Sequence, residues 1–157
     1  MFEKTLSVLA DKLSPTTVEA HCDGPCGVYD PSSARVAAEA VLSMTKKINA
    51  LEVPAATDKK ATIAYQNTLT RFIEIKGQQA EITKRELLIL WTDYFKPDHL
   101  KAIPDLHDIF WKAAKLCSAC KVNVSEESAT DLLKAVEKVH GLFWSTKNRQ
   151  VAWYTAG

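Results

Sequence analysis

Apolar residues recur at three- and four-residue intervals along most of this chain, and neither hairpin signals nor alternating apolar and polar runs occur anywhere in it. The pattern predicts helices only. Phe2, Leu6, Leu9 and Leu13 make a short amphipathic helix that Ser14-Pro15 stops, and residues 16–20 read as an exposed linker. Asp30 followed by Pro31 is a strong helix start, a side-chain acceptor with proline in the first turn. The stripe Val36, Ala40, Met44, Ile48 and Leu51 then predicts a helix over 31–51 with that stripe inward. After the loop around Pro54, Asp58 or Thr57 caps the next helix, whose buried side is expected to be Ile63, Tyr65, Leu69, Phe72 and Ile73. Gly77 costs about 1 kcal/mol relative to alanine inside a helix, yet one long helix over 58–95 is the preferred reading. Ile82, Leu87, Leu88, Leu90 and Trp91 crowd its second half enough for burial on more than one side, in core and oligomer contacts together. Tyr94-Phe95-Lys96-Pro97 ends it, since proline disfavours helical backbone in the residue before. Further helices are predicted over 105–121, with Leu106, Ile109, Phe110, Ala113, Leu116, Cys117 and Cys120, and over 126–147, with Leu132, Leu133, Val136, Val139, Leu142 and Phe143. The expected fold is all-α, an up-and-down four-helix bundle with short loops.

Composition adds limits. The 157 residues are enough for one domain with a core, and 46% hydrophobic against 25% charged is ordinary for a globular chain. Twenty basic and nineteen acidic residues nearly cancel, which gives no reason to expect nucleic acid or an anionic membrane surface as a partner. No run of about 18 apolar residues is present to span a membrane. Glu3, Lys4, Asp11 and Lys12 interrupt what would be the apolar core of a secretory signal, so a cytoplasmic protein with reduced thiols is expected.

The candidate chemistry lies where no helix is predicted, in His21-Cys22-Asp23-Gly24-Pro25-Cys26-Gly27-Val28-Tyr29-Asp30-Pro31. Two thiols and an imidazole fall within six residues, and Gly24-Pro25 with Gly27 allow the reversal that turns both sulfurs to one side. Cys-x3-Cys alone would also suit a disulfide loop or half a zinc site. Thiolates with nitrogen donors in a plane suit nickel or copper, whereas zinc favours four side-chain donors in a tetrahedron. Three side chains are local. The backbone completes the plane if His21 is the first residue: its amine and the Cys22 amide nitrogen close one five-membered ring, and that nitrogen with the Cys22 sulfur closes a second. Cys26 then fills the plane and the imidazole reaches an axial position. Such a site requires a cut between Ala20 and His21.

Other clusters are weaker. Cys117-Ser-Ala-Cys120 on a helical pattern reads as two packed thiols rather than a redox pair. His99, His107 and His140 have no spaced partners and read as structural. Trp91, Phe95, Phe110, Trp111, Phe143 and Trp144 read as core and interface. No phosphate loop, nucleophile elbow or carboxylate pair is present.

His-Cys-x-x-Pro-Cys-Gly-x-Tyr resembles the metal-binding hook of the nickel-dependent superoxide dismutase family, and Trp91-Thr92-Asp93-Tyr94-Phe95-Lys96-Pro97 and the Phe143-Trp144 region are similar to further family segments. The likeness spans most of residues 21–147. It implies a leader of residues 1–20 removed by a processing peptidase, a mature domain of 21–157 (hook 21–30, bundle 31–147, C-terminal tail) and a homohexamer with one nickel ion per subunit. The implied metal ligands are His21, Cys22 and Cys26. Tyr29 and Tyr94 would line the approach and order water, Asp23 would hold the hook closed, and Pro25 would form its turn. Superoxide would be converted to dioxygen and hydrogen peroxide through a nickel(III)/nickel(II) cycle, with Lys96 a candidate for steering the anion. Two departures stand out: Ala37 and Gln79 occupy, or lie near, positions where some members pair a glutamate with an arginine to support the axial histidine, and several residues are inserted between Lys60 and Trp91. The rival readings are a non-enzymatic nickel or copper carrier or sensor built on the same hook, and a structural helical protein with a Cys22–Cys26 disulfide.

Overall fold

The computed structural model describes residues 27–156; four of the five α-helices among them fall inside the predicted segments or within a residue of them, and a short fifth, Pro97–Ala102, lies in the stretch between two of them, where no helix is predicted. They are α1 (Ser32–Asn49), α2 (Lys59–Ile89), α3 (Pro97–Ala102), α4 (Leu106–Val122) and α5 (Glu126–Thr146), with a π-helical turn over Leu90–Tyr94. The leader helix expected over 2–13 and the hook residues before Gly27 lie outside the described residues. No described helix is long and apolar enough to cross a membrane.

The caps follow the side chains the sequence supplies. The Asp30 carboxylate accepts the Ser32 amide at 2.7 Å, and Asp58 accepts that of Ala61 at 2.9 Å at the start of α2. Ser125 does the same for Ser128 at 3.1 Å ahead of α5. The four long helices close a ring: α1 packs on α2 and α5, and α4 packs on the same two from the other side. Neighbours in the ring are neighbours in sequence, as an up-and-down bundle requires. Leu87, Leu106, Phe110, Leu132, Val136, Val139 and Phe143 fill its centre.

Two expected faces are corrected. On α1 the buried side is Ala34, Ala37, Ala38, Val41 and Thr45, while Val36 is 56% exposed. The smaller residues face inward because they let α1 lie close against its neighbours, and the Thr45 hydroxyl is satisfied by donating to Val41 O at 2.8 Å. On α2, Ile63 and Ile73 are 57% and 45% exposed, and the buried positions are Lys76, Ala80, Thr83 and Leu87. Length explains it. At about 1.5 Å per residue, the 31 residues of α2 outrun the 18 of α1 and the 17 of α4, so the early turns of α2 overhang the bundle. The helix runs unbroken through Gly77.

Beyond α5 the chain turns at Asn148, whose φ of 52° is the left-handed cap asparagine tolerates. The tail then folds back. His140 Nε2 donates to Val151 O at 2.9 Å, the Arg35 guanidinium lies 4.1 Å from the Tyr154 ring centre, and the Ala156 amide donates to Glu39 at 2.6 Å.

Candidate metal centre

His21, Cys22, Asp23, Pro25 and Cys26 all lie outside the described residues, so the site is built from the side the structure describes. Gly27 has φ +67°, a left-handed turn that costs glycine nothing, immediately after the second thiol. Val28, Tyr29 and Asp30 then lie against Glu86, Ile89 and Leu90 of α2 and its π turn, around a cavity of about 110 Å³. That is room for a few waters.

The π turn fixes the second phenol. Phe95 N donates to Leu90 O at 3.0 Å, a five-residue closure that inserts one extra residue into the last turn. Residues beyond it are rotated by about 100° relative to an uninterrupted helix. Tyr94 consequently comes to 5.6 Å from Tyr29, ring centre to ring centre, tilted 55°. It is walled by Phe143 at 4.5 Å, Phe95 at 5.0 Å edge-on, and His99 stacked at 5.7 Å. Its hydroxyl lies 2.5 Å from Thr146 Oγ1, and Lys147 Nζ sits 5.3 Å from its ring centre. Two residues 65 positions apart in the chain, each expected beside the metal, thus meet at one end of the bundle.

The three histidines among the described residues, His99, His107 and His140, make structural hydrogen bonds, as expected. His99 Nδ1 accepts the Lys96 amide at 3.0 Å, which opens α3, and His107 Nδ1 accepts from Trp91 Nε1 at 2.8 Å. Trp91 in turn stacks on Phe110 at 5.9 Å, fixing the π turn to α4. Among the described residues no group of three or more His, Cys, Asp or Glu side chains could hold a metal ion. Ala37 is buried in the bundle, and the Arg35–Glu39 ion pair on the same helix faces the C-terminal tail, so it does not replace the glutamate–arginine pair.

Cys117 and Cys120 are free, buried thiols. Burial, with the adjacent Cys120, pushes Cys117 up to about 12 from its ordinary 9.0, so it is neither a thiolate ligand nor a nucleophile near neutrality. The unfolded thiol ionises near 9 while the folded one keeps its proton to about 12. Between those values the unfolded chain binds fewer protons, and stability falls as pH rises. Denaturant midpoints measured from pH 8 to 10.5 are expected to decline, and to decline less in Cys117→Ala; equal slopes would contradict the assignment.

Sequence reasoning did not single out Thr146, His99 or Lys147 for this end of the bundle. The signal that could have found Thr146 is its three-residue spacing from Phe143, which puts the two on one face of the last helix.

A family model described as nickel-containing superoxide dismutase matches residues 16–147. The nickel-type superoxide dismutase of Streptomyces coelicolor is 41% identical over 105 residues, 67% of this chain and 71% of that protein. That of Streptomyces seoulensis is 43% identical over 106 residues, 68% and 72% of the two chains. Among solved structures, a native nickel superoxide dismutase superposes with a TM-score of 0.71 at 35% identity, covering 82% of this chain and 100% of that one. One with nickel ligation described as the oxidized state gives 0.70 at 36% identity and the same coverage.

Proposed function

The chain belongs to the nickel-containing superoxide dismutase family, with superoxide as substrate and nickel as cofactor, and from that premise we propose that His21, Cys22 and Cys26 hold the ion after cleavage of the Ala20–His21 bond. The observation that carries this reading is the convergence of Tyr29 and Tyr94 at 5.6 Å, beside the point where the chain leaves the hook. Tyr29 follows Cys26 by three positions, so their α-carbons are within about 11 Å of each other. The donor set fits the ion: two thiolates, an amidate and an amine are the soft, strongly donating ligands nickel needs to reach its higher oxidation state. Bound there, nickel supplies a nickel(III)/nickel(II) couple that takes an electron from one superoxide and returns one to a second, giving dioxygen and, with two protons, hydrogen peroxide.

The protein's own groups do the rest. The phenols of Tyr29 and Tyr94 narrow the approach and order water, and Phe95, Phe143 and His99 hold the Tyr94 ring in place. Asp23, outside the described residues, would hold the hook closed, as the family resemblance implies. Lys96 and Lys147, both exposed near Tyr94, raise the local positive potential for a small anion. The exposed Ile63, Ile73 and Ile82 of α2 fit subunit contacts, so we assign the homohexamer as well. A cytoplasmic location is part of the same proposal.

Intact mass and metal analysis of protein purified from its native host tests the whole. A chain beginning at His21 with one nickel per subunit is expected. Retention of residues 1–20, or zinc in place of nickel, overturns the reading. Turnover of superoxide by the processed protein separates the enzyme from a carrier using the same hook.

A further inference from the structure

The hydroxyl chain at the end of α5 has a fixed direction. Thr146 Oγ1 lies 2.7 Å from Phe143 O, and a carbonyl oxygen only accepts. Phe143 O needs that proton, because its regular helical donor, the Lys147 amide, bonds instead to Trp144 O at 3.1 Å where the helix tightens before its cap. A threonine hydroxyl has one proton to give. The second contact of Thr146 Oγ1, at 2.5 Å from the Tyr94 hydroxyl, is therefore one that it accepts. Tyr94 donates.

We infer that Thr146 is a positioning residue that commits the Tyr94 phenol proton to the end of α5, so that Tyr94 offers the proposed site a hydrogen-bond acceptor only. This rests on the placement of Tyr94 beside the metal proposed above. A phenol with a spare proton would bind superoxide directly, since the anion is an acceptor. One whose proton is already used has only a lone pair for a donor, which suits a water or the newly formed peroxide, and leaves superoxide free to pass to the ion. Lys147 works in the same direction. Its ammonium lies 5.3 Å from the Tyr94 ring centre and 5.1 Å from that of Phe143, so positive charge sits over the rings while the proton points to Thr146. The residues that set this polarity all lie in the last turn of α5 and its cap.

The test uses Thr146→Val, which is close in shape but has no oxygen, and Thr146→Ser, which restores one. Ultraviolet resonance Raman difference spectra of the full chain without added metal, wild type minus Tyr94→Phe, isolate the Tyr94 carbon–oxygen stretch, whose frequency separates a donating from an accepting phenol. The donor band is expected in the wild type and in Thr146→Ser, and is expected to be lost in Thr146→Val. In the nickel-loaded enzymes, kcat/KM is expected to fall about tenfold in Thr146→Val, the effect of losing one well-placed hydrogen bond, and to stay within about twofold of wild type in Thr146→Ser. A donor band that survives in Thr146→Val overturns the assigned direction. A band that is lost with turnover unchanged in both variants overturns its use in the reaction. Wild-type activity in Tyr94→Phe, by contrast, rejects the placement of Tyr94 at the site and leaves the Raman result standing.

Discussion

Adding a single residue before His21 of the processed chain is expected to abolish dismutase activity, by at least about a hundredfold, the scale above which loss of a metal's immediate ligands exceeds that of their outer partners. The reason is the amine. An α-amino group has an ordinary pKa near 8 and becomes a good donor at neutral pH once a metal competes for its proton. The same nitrogen inside a peptide bond has given its lone pair to the carbonyl and loses one of the two fused rings. The helices should not notice, because α1 begins at Ser32 and the Asp30 carboxylate that caps it lies well beyond the extension. Far-ultraviolet circular dichroism is therefore expected to match wild type while nickel content and turnover fall together. Wild-type turnover in the extended variant would refute the chelate. Blocking the cut by changing Ala20 should reproduce the same loss with the leader still attached.

The parts of the fold that were legible in the sequence are those fixed by local chemistry. Asp30-Pro31 and Asp58 set the starts of α1 and α2 within a residue or two, since a capping side chain acts on amides two or three residues away. The inward faces of α4 and α5 followed from bulky residues at helical spacing. The face of α1 did not, because what is buried there is alanine and threonine, and side-chain bulk is a poor guide where two helices approach closely. The overhang of α2 depends on the lengths of its neighbours, and the π turn over Leu90–Tyr94 depends on packing of Trp91 against Phe110 and His107, contacts 16 to 19 residues away. The same holds at the site. Tyr29 and Tyr94 were legible through family resemblance, but their meeting needed the bundle, and the Tyr94–Thr146 bond joins residues 52 apart that no local pattern connects.

Lys76→Met is expected to lower stability by about 2–4 kcal/mol, the cost of leaving two or three buried carbonyls without a donor. Lys76 is 1% exposed, and its ammonium reaches from α2 to the end of α4, donating to Cys120 O, to Asn123 O at 2.9 Å and to Lys121 O at 3.4 Å. The last carbonyls of a helix have no partners within it and carry its negative end, so the lysine serves as a cap borrowed from a neighbouring helix. Burial is the larger influence on this group and holds its pKa below the ordinary 10.5, against a smaller upward effect of Cys120. On going alkaline the native protein thus releases this proton before the unfolded chain does. Lys76 adds stability with rising pH just below 10.5, opposite in sign to Cys117. Methionine keeps the length and removes the charge, so it avoids a cavity but strands the carbonyls. At about 2–4 °C per kcal/mol for a chain of this size, melting should drop by roughly 4–16 °C, compared at one protomer concentration. Activity at 25 °C should be retained, because the 18 positions from Lys76 to Tyr94 put the cap about 27 Å from the Tyr94 phenol along α2 and its π turn. An unchanged melting temperature would show that the three carbonyls are satisfied without the lysine.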